Sequence, residues 1–268
     1  MALSGELRAK ALGCAESTLY YKRRMDAKDQ SLRRKIEEAL HEHPSYGHRR
    51  LALHLNVNKK RIRRVMRKYG IRPYRRRGKK YRRMKPQGEQ YPNLLQLVTP
   101  SYAGCVWAAD FTHLAYKHHD VIVATTIDLF DRSVVGVSVS TTHPASIVIQ
   151  SFGNGILNHG RPAIFHSDNG SEYHAKPLRQ LLTNLGVAIS RSKKGCPWEN
   201  GYQESFYNQF KVDLGDPNRF PSLGELTAAI YETIHEYNTE RIHSALRMPP
   251  AQFALAHATA TLSASTRI

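Results

Sequence analysis

Three acids stand out by their setting rather than their number. Asp110 lies inside the apolar run VWAADFTHL, Asp168 follows Ala163-Ile164-Phe165 within HSDNGSEY (166–173), and Glu204 lies within ENGYQESFYNQFK (199–211). A carboxylate inside an apolar strand is costly unless it is paired or bound to a cation. Phosphoryl transfer supplies a use for such acids: two Mg²⁺ ions about 3.5–4 Å apart activate the attacking oxygen and stabilise the leaving one. Mg²⁺ prefers oxygen donors and keeps several waters, so a few carboxylates suffice. The first expectation is that Asp110, Asp168 and Glu204 converge on two such ions, with Mn²⁺ as a substitute.

Each acid also has a plainer reading. Asp110 could end a strand and bond to a loop, Asp168 before Asn169-Gly170 could be a turn residue, and Glu204 could simply face solvent. Asp120, Asp128, Asp131 and Glu199 read as turn, strand-end and loop residues, with Glu199 a candidate loop contact to DNA. His166 and Asn200 lie near the acids in sequence and suit either positioning or scaffold roles. Lys211 follows Glu204 by seven residues, two helical turns on and so on the same face.

The elements that must position these acids can be read from the same stretch. CVWAADFTHLAY, VIVATTIDLF and SVVGVSVSTT are β-branched runs separated by short turns, so three consecutive strands are expected, paired as antiparallel hairpins. ASIVIQSFGNGILNHG reads as a helix, PAIFHSD as a strand, KPLRQLLTNLG as a helix closed by Gly186, and VAISRS as a fifth strand. The helix carrying Glu204 and a longer one, SLGELTAAIYETIHEYN, complete the order βββαβαβα. That pattern describes an α/β domain with a mixed five-stranded sheet and flanking helices.

The front of the chain differs in texture. Residues 1–92 carry 27 Lys and Arg against 8 Asp and Glu, whereas residues 93–268 carry 13 against 14. A basic half beside a near-neutral one points to a polyanion-binding module joined to a globular domain. Residues 30–43, the RRLALHL segment and KKRIRRVMRKYG read as three helices, with Asn58 the N-cap of the third. Ile62, Val65, Met66 and Tyr69 line one face of that helix, and Lys59, Lys60, Arg63, Arg64, Arg67 and Lys68 fill the remainder. Such a helix-turn-helix suits laying a basic helix on DNA through phosphate contacts. Residues 73–92, with Arg75, Arg76, Arg77, Lys79 and Lys80, read as a basic linker that could track a DNA backbone or act as a solvated tether. In the loop 191–200, Arg191, Lys193 and Lys194 with Trp198 suit a DNA contact.

The expected domains are a short helical segment over 1–27, a helix-turn-helix domain over 28–72, the linker over 73–92, the sheet domain over 93–255 and a tail over 256–268. Cys14, Cys105 and Cys196 are odd in number and widely spaced, which suits reduced thiols better than a disulfide framework or a zinc site. No apolar run spans a membrane and no signal peptide opens the chain, so a cytoplasmic protein is expected.

WAADFT, HSDNGSEY and a glutamate separated from the second aspartate by 35 residues resemble the D,D(35)E pattern of retroviral-integrase-like transposases. YGHRRL, VNKKRIRRVMRKYGI, SRSKKGCPWENGYQESFYNQFK and YNTERIHSALRMPPAQF are similar to the second-frame (OrfB) product of the insertion-sequence group whose transposase comes from two overlapping frames. The resemblance runs from about Leu12 to Phe253. It implies a ribonuclease-H-like sheet domain and metal binding by Asp110, Asp168 and Glu204. It also implies contact of Lys211 with the transposon end, and 3′-end cleavage and strand transfer on terminal inverted repeats and target DNA. The implied setting is a prokaryotic, nucleoid-associated protein acting as a dimer or higher oligomer, with a first-frame (OrfA) protein or fusion as partner. The chain departs from that group in having no leucine heptads, and residues 1–27 read as the remnant of a helix-turn-helix. Two rival activities share these motifs: a DNA-binding regulator without catalysis, and a stand-alone nuclease of the same fold.

Overall fold

The computed structural model describes residues 5–15, 24–74, 91–142, 146–193 and 200–265. The chain divides into two units, one of residues 1–42 with 46–72 and one of residues 43–45 with 73–268.

The first unit is helical: α1 Gly5–Ala11, α2 Arg24–Glu42, α3 His48–His54 and α4 Lys59–Lys68. Its core takes Leu32, Ile36 and Ala39 from α2, then Tyr46, Leu51 of α3, and Ile62, Val65 and Met66 of α4, all buried. The expected cap at the start of α4 is present, since Lys60 N donates to Asn58 Oδ1 at 2.8 Å. Gly70 follows in the left-handed region, at φ +66°. The basic face of α4 is divided in two. Arg64 forks onto the fully buried carboxylate of Asp29 at 2.7 and 2.5 Å, and Lys68 reaches Asp29 at 3.1 Å and Asp26 at 2.6 Å. These cations hold Asp29 well below the usual carboxylate range, at about 2, with Arg64 the largest cause. Lys59, Lys60, Arg63 and Arg67 are exposed.

The second unit is built on five strands: β1 Val106–Tyr116, β2 His119–Asp128, β3 Val134–Ser140, β4 Ile164–Ser167 and β5 Ala188–Arg191. Their order is β3-β2-β1-β4-β5. The first three pair antiparallel, as their short turns require, while β4 and β5 run parallel to β1 on its other side. Parallel neighbours need crossovers, and α5 Ser146–His159 and α6 Lys176–Asn184 supply them. Alternation along β1 sends Trp107 and Ala109 toward the α5–α6 side, where Phe152, Phe165, Tyr173, Leu178 and Leu182 pack. Val106 and Ala108 point the other way, into a core with Phe206 and Phe210 of α7 Gly201–Leu214 and Leu226, Ile230 and Ile234 of α8 Leu223–Thr239. α9 Pro250–Ser265 follows, so helix continues past residue 256, where a tail was expected. No described helix is long and apolar enough to cross a membrane.

Candidate active site

Asp110 sits in the middle of the central strand, opposite Thr125 of β2. On its other flank, the last registered pair with β4 is Ala109 with Ser167. Asp110 and Asp168 are therefore the next residues on two adjacent parallel strands. β4 ends at Ser167, so Asp168 opens the turn that leads into the single 3₁₀ turn Ser171–His174. Phe111 N donates to Asp110 Oδ1 at 2.9 Å, and Gly170 N donates to Asp168 Oδ1 at 2.9 Å.

Glu204 arrives from the first turn of α7, and the residues around it fix that helix to β1. Gln203 Nε2 donates to Ala108 O at 2.6 Å, the Tyr207 hydroxyl donates to Asp110 O at 2.6 Å, and Lys211 Nζ donates to His113 O at 2.9 Å. These contacts at i, i+4 and i+8 run α7 along β1 past Asp110. Glu204 itself is exposed.

The electrostatics follow from this crowding. Burial first, then the neighbouring Asp168 carboxylate, push Asp110 up to about 8, with Glu204 adding to the rise and the Phe111 N–H and Lys211 opposing it. Asp168 is also raised, by burial and then by Glu172, while Gly170 N–H, Arg191 and His174 pull it down. Partial desolvation raises Glu204. Among the described residues, no three His, Cys, Asp or Glu side chains close together as they stand into a set that could hold an ion. The geometry thus brings Asp110 and Asp168 together and leaves Glu204 beside them on the solvent side.

The other expected residues fall in varied places. His166 is fully buried and bonds through Nδ1 to Ser190 Oγ at 2.8 Å, a scaffold position between β4 and β5. Asn200 is buried immediately before α7. Asp128 accepts from Gly104 N, Trp107 Nε1 and Phe130 N, as a strand-end residue should. Lys193 is exposed. Arg75, Arg76, Arg77, Lys79, Lys80, Lys194, Cys196, Trp198 and Glu199 lie outside the described residues.

Several residues of the site do not announce themselves in the sequence. Gln203 and Tyr207 are buried polar groups that tie α7 to the strand bearing Asp110. Their signal was polar atoms at the same helical spacing as Phe206 and Phe210. Glu172 folds back toward Asp168: a Cβ placed on Gly170 would lie 2.9 Å from Glu172 Oε2 and 3.0 Å from Asp168 Oδ1. Arg191, expected in a DNA-contacting loop, is instead buried at the end of β5. Its guanidinium donates to Ser167 Oγ, to the Asp168 carbonyl and to the Tyr173 carbonyl. A buried cation so tied cannot be offered to a nucleic acid, so its task is to hold the turn that presents Asp168.

Comparison with known proteins agrees with this architecture. Two models described as integrase core domain match residues 101–197 and 185–250. The transposase for insertion sequence element IS904 of Lactococcus lactis is 32% identical over 231 residues, covering 80% of this chain and 89% of that protein. The putative transposase InsK for insertion sequence element IS150 of Escherichia coli is 27% identical, covering 89% and 88%. Among solved structures, a chain of the simian T-cell lymphotropic virus intasome superposes with a TM-score of 0.51 at 20% identity, covering 81% of this chain and 73% of that one, a likeness that bears on fold alone. The sheet and these relatives agree: the chain belongs to the insertion-sequence transposases of the IS3 group, DDE-type polynucleotidyl transferases built on an integrase core.

Proposed function

We propose that this transposase binds the terminal inverted repeats of its element and catalyses divalent-metal-dependent 3′-end cleavage and strand transfer into target DNA. The observation that carries the reading is the meeting of Asp110 and Asp168 on adjacent parallel strands, with Glu204 delivered by a helix pinned to the same strand. Two desolvated carboxylates side by side repel each other, and a divalent cation is the natural relief. The donors are carboxylate oxygens, the set that Mg²⁺ takes. Shared between two ions, the three acids need not all reach one ion, because water and substrate oxygens complete each shell. The chemistry supplied by the metals is activation of a water or a DNA 3′-hydroxyl and stabilisation of the leaving oxygen. Lys211, held by the His113 carbonyl of β1 two turns beyond Glu204, is suited to a backbone phosphate of the transposon end. Lys59, Lys60, Arg63 and Arg67 on α4 suit further phosphates, and the basic segment 75–80 with Lys193 and Lys194 belongs to the same proposal. Function on two ends implies at least two copies, with a first-frame protein or fusion as the expected partner.

The test is a strand-transfer assay on oligonucleotides carrying the element's ends, with Mg²⁺ or Mn²⁺. Asp110→Asn, Asp168→Asn and Glu204→Gln are each expected to lower product at least about a thousandfold while end binding stays near wild type, since each removes a group used in the transition state. Near-normal transfer by any one of them removes that acid from the site. Tight binding with no product from the wild type would favour a regulator, and cutting without joining would favour a nuclease.

A further inference from the structure

Arg132 breaks two local rules at once. It stands in the turn between β2 and β3 at φ +67°, the left-handed region that asparagine or glycine enters at less cost. Its Nε and Nη1 are sealed from solvent, yet neither has a hydrogen-bond partner among the described residues. The turn itself is well tied. Arg132 N donates to Asp128 O at 2.9 Å, Ser133 N donates to Asp131 Oδ1 at 2.8 Å, and Asp128 accepts from Gly104 N and Trp107 Nε1. What the guanidinium meets is an aromatic face: it lies 4.2 Å from the centroid of the Tyr202 ring. That is well inside the ~6 Å over which a cation is drawn to a ring. Backbone strain and unpaired donors kept at one residue point to a task for it.

Tyr202 belongs to the first turn of α7, the turn that carries Glu204. The N-cap of that helix, Asn200, makes no side-chain bond to its first N–H groups. α7 hangs from β1 by one row of bonds, from Gln203, Tyr207 and Lys211. A single row fixes where the helix start lies along the strand more firmly than it fixes the roll about that row. Tyr202 and Glu204 flank Gln203 by one residue each, about 100° round the helix in opposite senses. A grip on the ring therefore sets how far the carboxylate leans toward Asp110 and Asp168. Tyr202 is otherwise open, at 44% exposure, and the core packing of Phe206 and Phe210 begins one turn further on.

We propose that Arg132 is a positioning residue: stacked on Tyr202, it fixes the roll of the first turn of α7 and thereby the place of the Glu204 carboxylate beside Asp110 and Asp168. The inference rests on the assignment of Glu204 to the site proposed above. A flat guanidinium stacks on a ring face as a compact ammonium does not, which accounts for arginine at a turn position whose backbone favours glycine.

The experiment measures single-turnover cleavage of an end oligonucleotide in Mg²⁺, end affinity and thermal unfolding. It compares full-length wild type with Arg132→Gln, Tyr202→Phe, Tyr202→Leu and the double variant carrying Arg132→Gln and Tyr202→Leu. Arg132→Gln and Tyr202→Leu are each expected to slow cleavage about tenfold to a hundredfold, the cost of slightly misplacing a reacting group, with end affinity unchanged. The double variant should be no slower than the slower single, because both remove one contact. Tyr202→Phe keeps the ring face and should cleave as wild type does. Cleavage that falls only in step with the folded fraction overturns the inference, and so does a Tyr202→Phe as slow as Tyr202→Leu. Weakened affinity at an unchanged rate for Arg132→Gln also sinks it, giving the guanidinium to a phosphate instead. Should Arg132→Gln fail to fold, the two Tyr202 variants still decide. Near-normal cleavage by Glu204→Gln would remove that acid from the site and this inference with it, whereas each outcome above leaves the site standing.

Discussion

Gln203 carries no charge, yet it decides where Glu204 can go. Its amide spans Ala108 O at 2.6 Å and Thr125 O at 3.4 Å, and the Thr125 hydroxyl donates back to its Oε1 at 3.2 Å. One turn on, Tyr207 lies 2.9 Å from the same Thr125 hydroxyl and donates to Asp110 O. Gln203→Leu leaves the Ala108 carbonyl buried without its donor, a loss of about 1–3 kcal/mol. It should also free the first turn of α7, so single-turnover cleavage should fall further than the loss of folded protein explains. Denaturant unfolding and cleavage measured at one temperature separate the two, and proportionate losses would confine Gln203 to stability. The spacing of Asp110, Asp168 and Glu204 is a pattern that a sequence displays by itself. Gln203, Tyr207 and Arg191 were not legible there, because a buried polar side chain resembles an exposed one until its partner on a distant strand is known. Arg191 in particular reads as a surface cation in SRSKK and turns out to be a buried clamp.

At the scale of elements, the sheet depends on how closely α5 can approach it. Gly136 of β3 faces Ser151 of α5 so tightly that a Cβ there would lie 2.0 Å from the Ser151 carbonyl oxygen, and one on Gly155 would lie 2.9 Å from the Trp107 ring. That approach lets Thr126 and Ser151 bond at 3.0 Å and Asn154 donate to Val137 O at 2.8 Å. Backbone cannot move aside as a side chain can. Gly136→Ala should therefore cost about 3 kcal/mol or more, the upper end of overpacking. In the same helix Gly153 meets nothing within 4 Å. Gly153→Ala should stabilise by about 0.5–1 kcal/mol through helix propensity. Urea midpoints of the two variants check both signs, and a Gly136→Ala midpoint at wild type would show that α5 can shift. The strands were legible from β-branched runs, and their hairpins from short turns. α9 was not, because PPAQFALAHATATLSAS is rich in alanine and threonine without a clear apolar face, so nothing in its period distinguished a helix from a tail.

Across the whole chain, charge is divided by unit, and the two units should answer pH in opposite directions. In the helical unit Asp29 is depressed to about 2 by Arg64 and Lys68. Its contribution to stability is present above the ordinary aspartate value and lost as pH falls from about 4 through about 2. In the catalytic unit Asp110 is raised to about 8. Its folded state binds the proton more tightly than the unfolded chain, so metal-free stability should decline as pH rises from about 4 toward about 8, and added Mg²⁺ should reverse that decline by displacing the proton. Unfolding followed through tryptophan fluorescence, both tryptophans lying in the catalytic unit, checks this, and a metal-free catalytic unit equally stable at both ends of that window would deny Asp110 its raised proton affinity.

The same division sorts the cations of α4 by what they already hold. Arg64 and Lys68 are engaged with Asp29 and Asp26 inside the unit, whereas Lys59, Lys60, Arg63 and Arg67 are exposed. A cation committed to a buried carboxylate gives up that bond to meet a phosphate, so it contributes little net counterion release. Replacing Lys59, Lys60, Arg63 and Arg67 by alanine should reduce the slope of log K against log[salt] by about 0.9 for each phosphate left unneutralised. Arg64→Ala and Lys68→Ala should instead lower the unfolding midpoint of the helical unit, because removing one partner leaves the Asp29 charge buried and under-compensated, and their salt slope should stay near wild type. Affinities measured on one duplex at several salt concentrations, each beside an unfolding curve, distinguish the two groups. A flattened slope for Arg64→Ala with an unchanged midpoint would mean that its fork opens onto DNA and that Asp29 finds another partner.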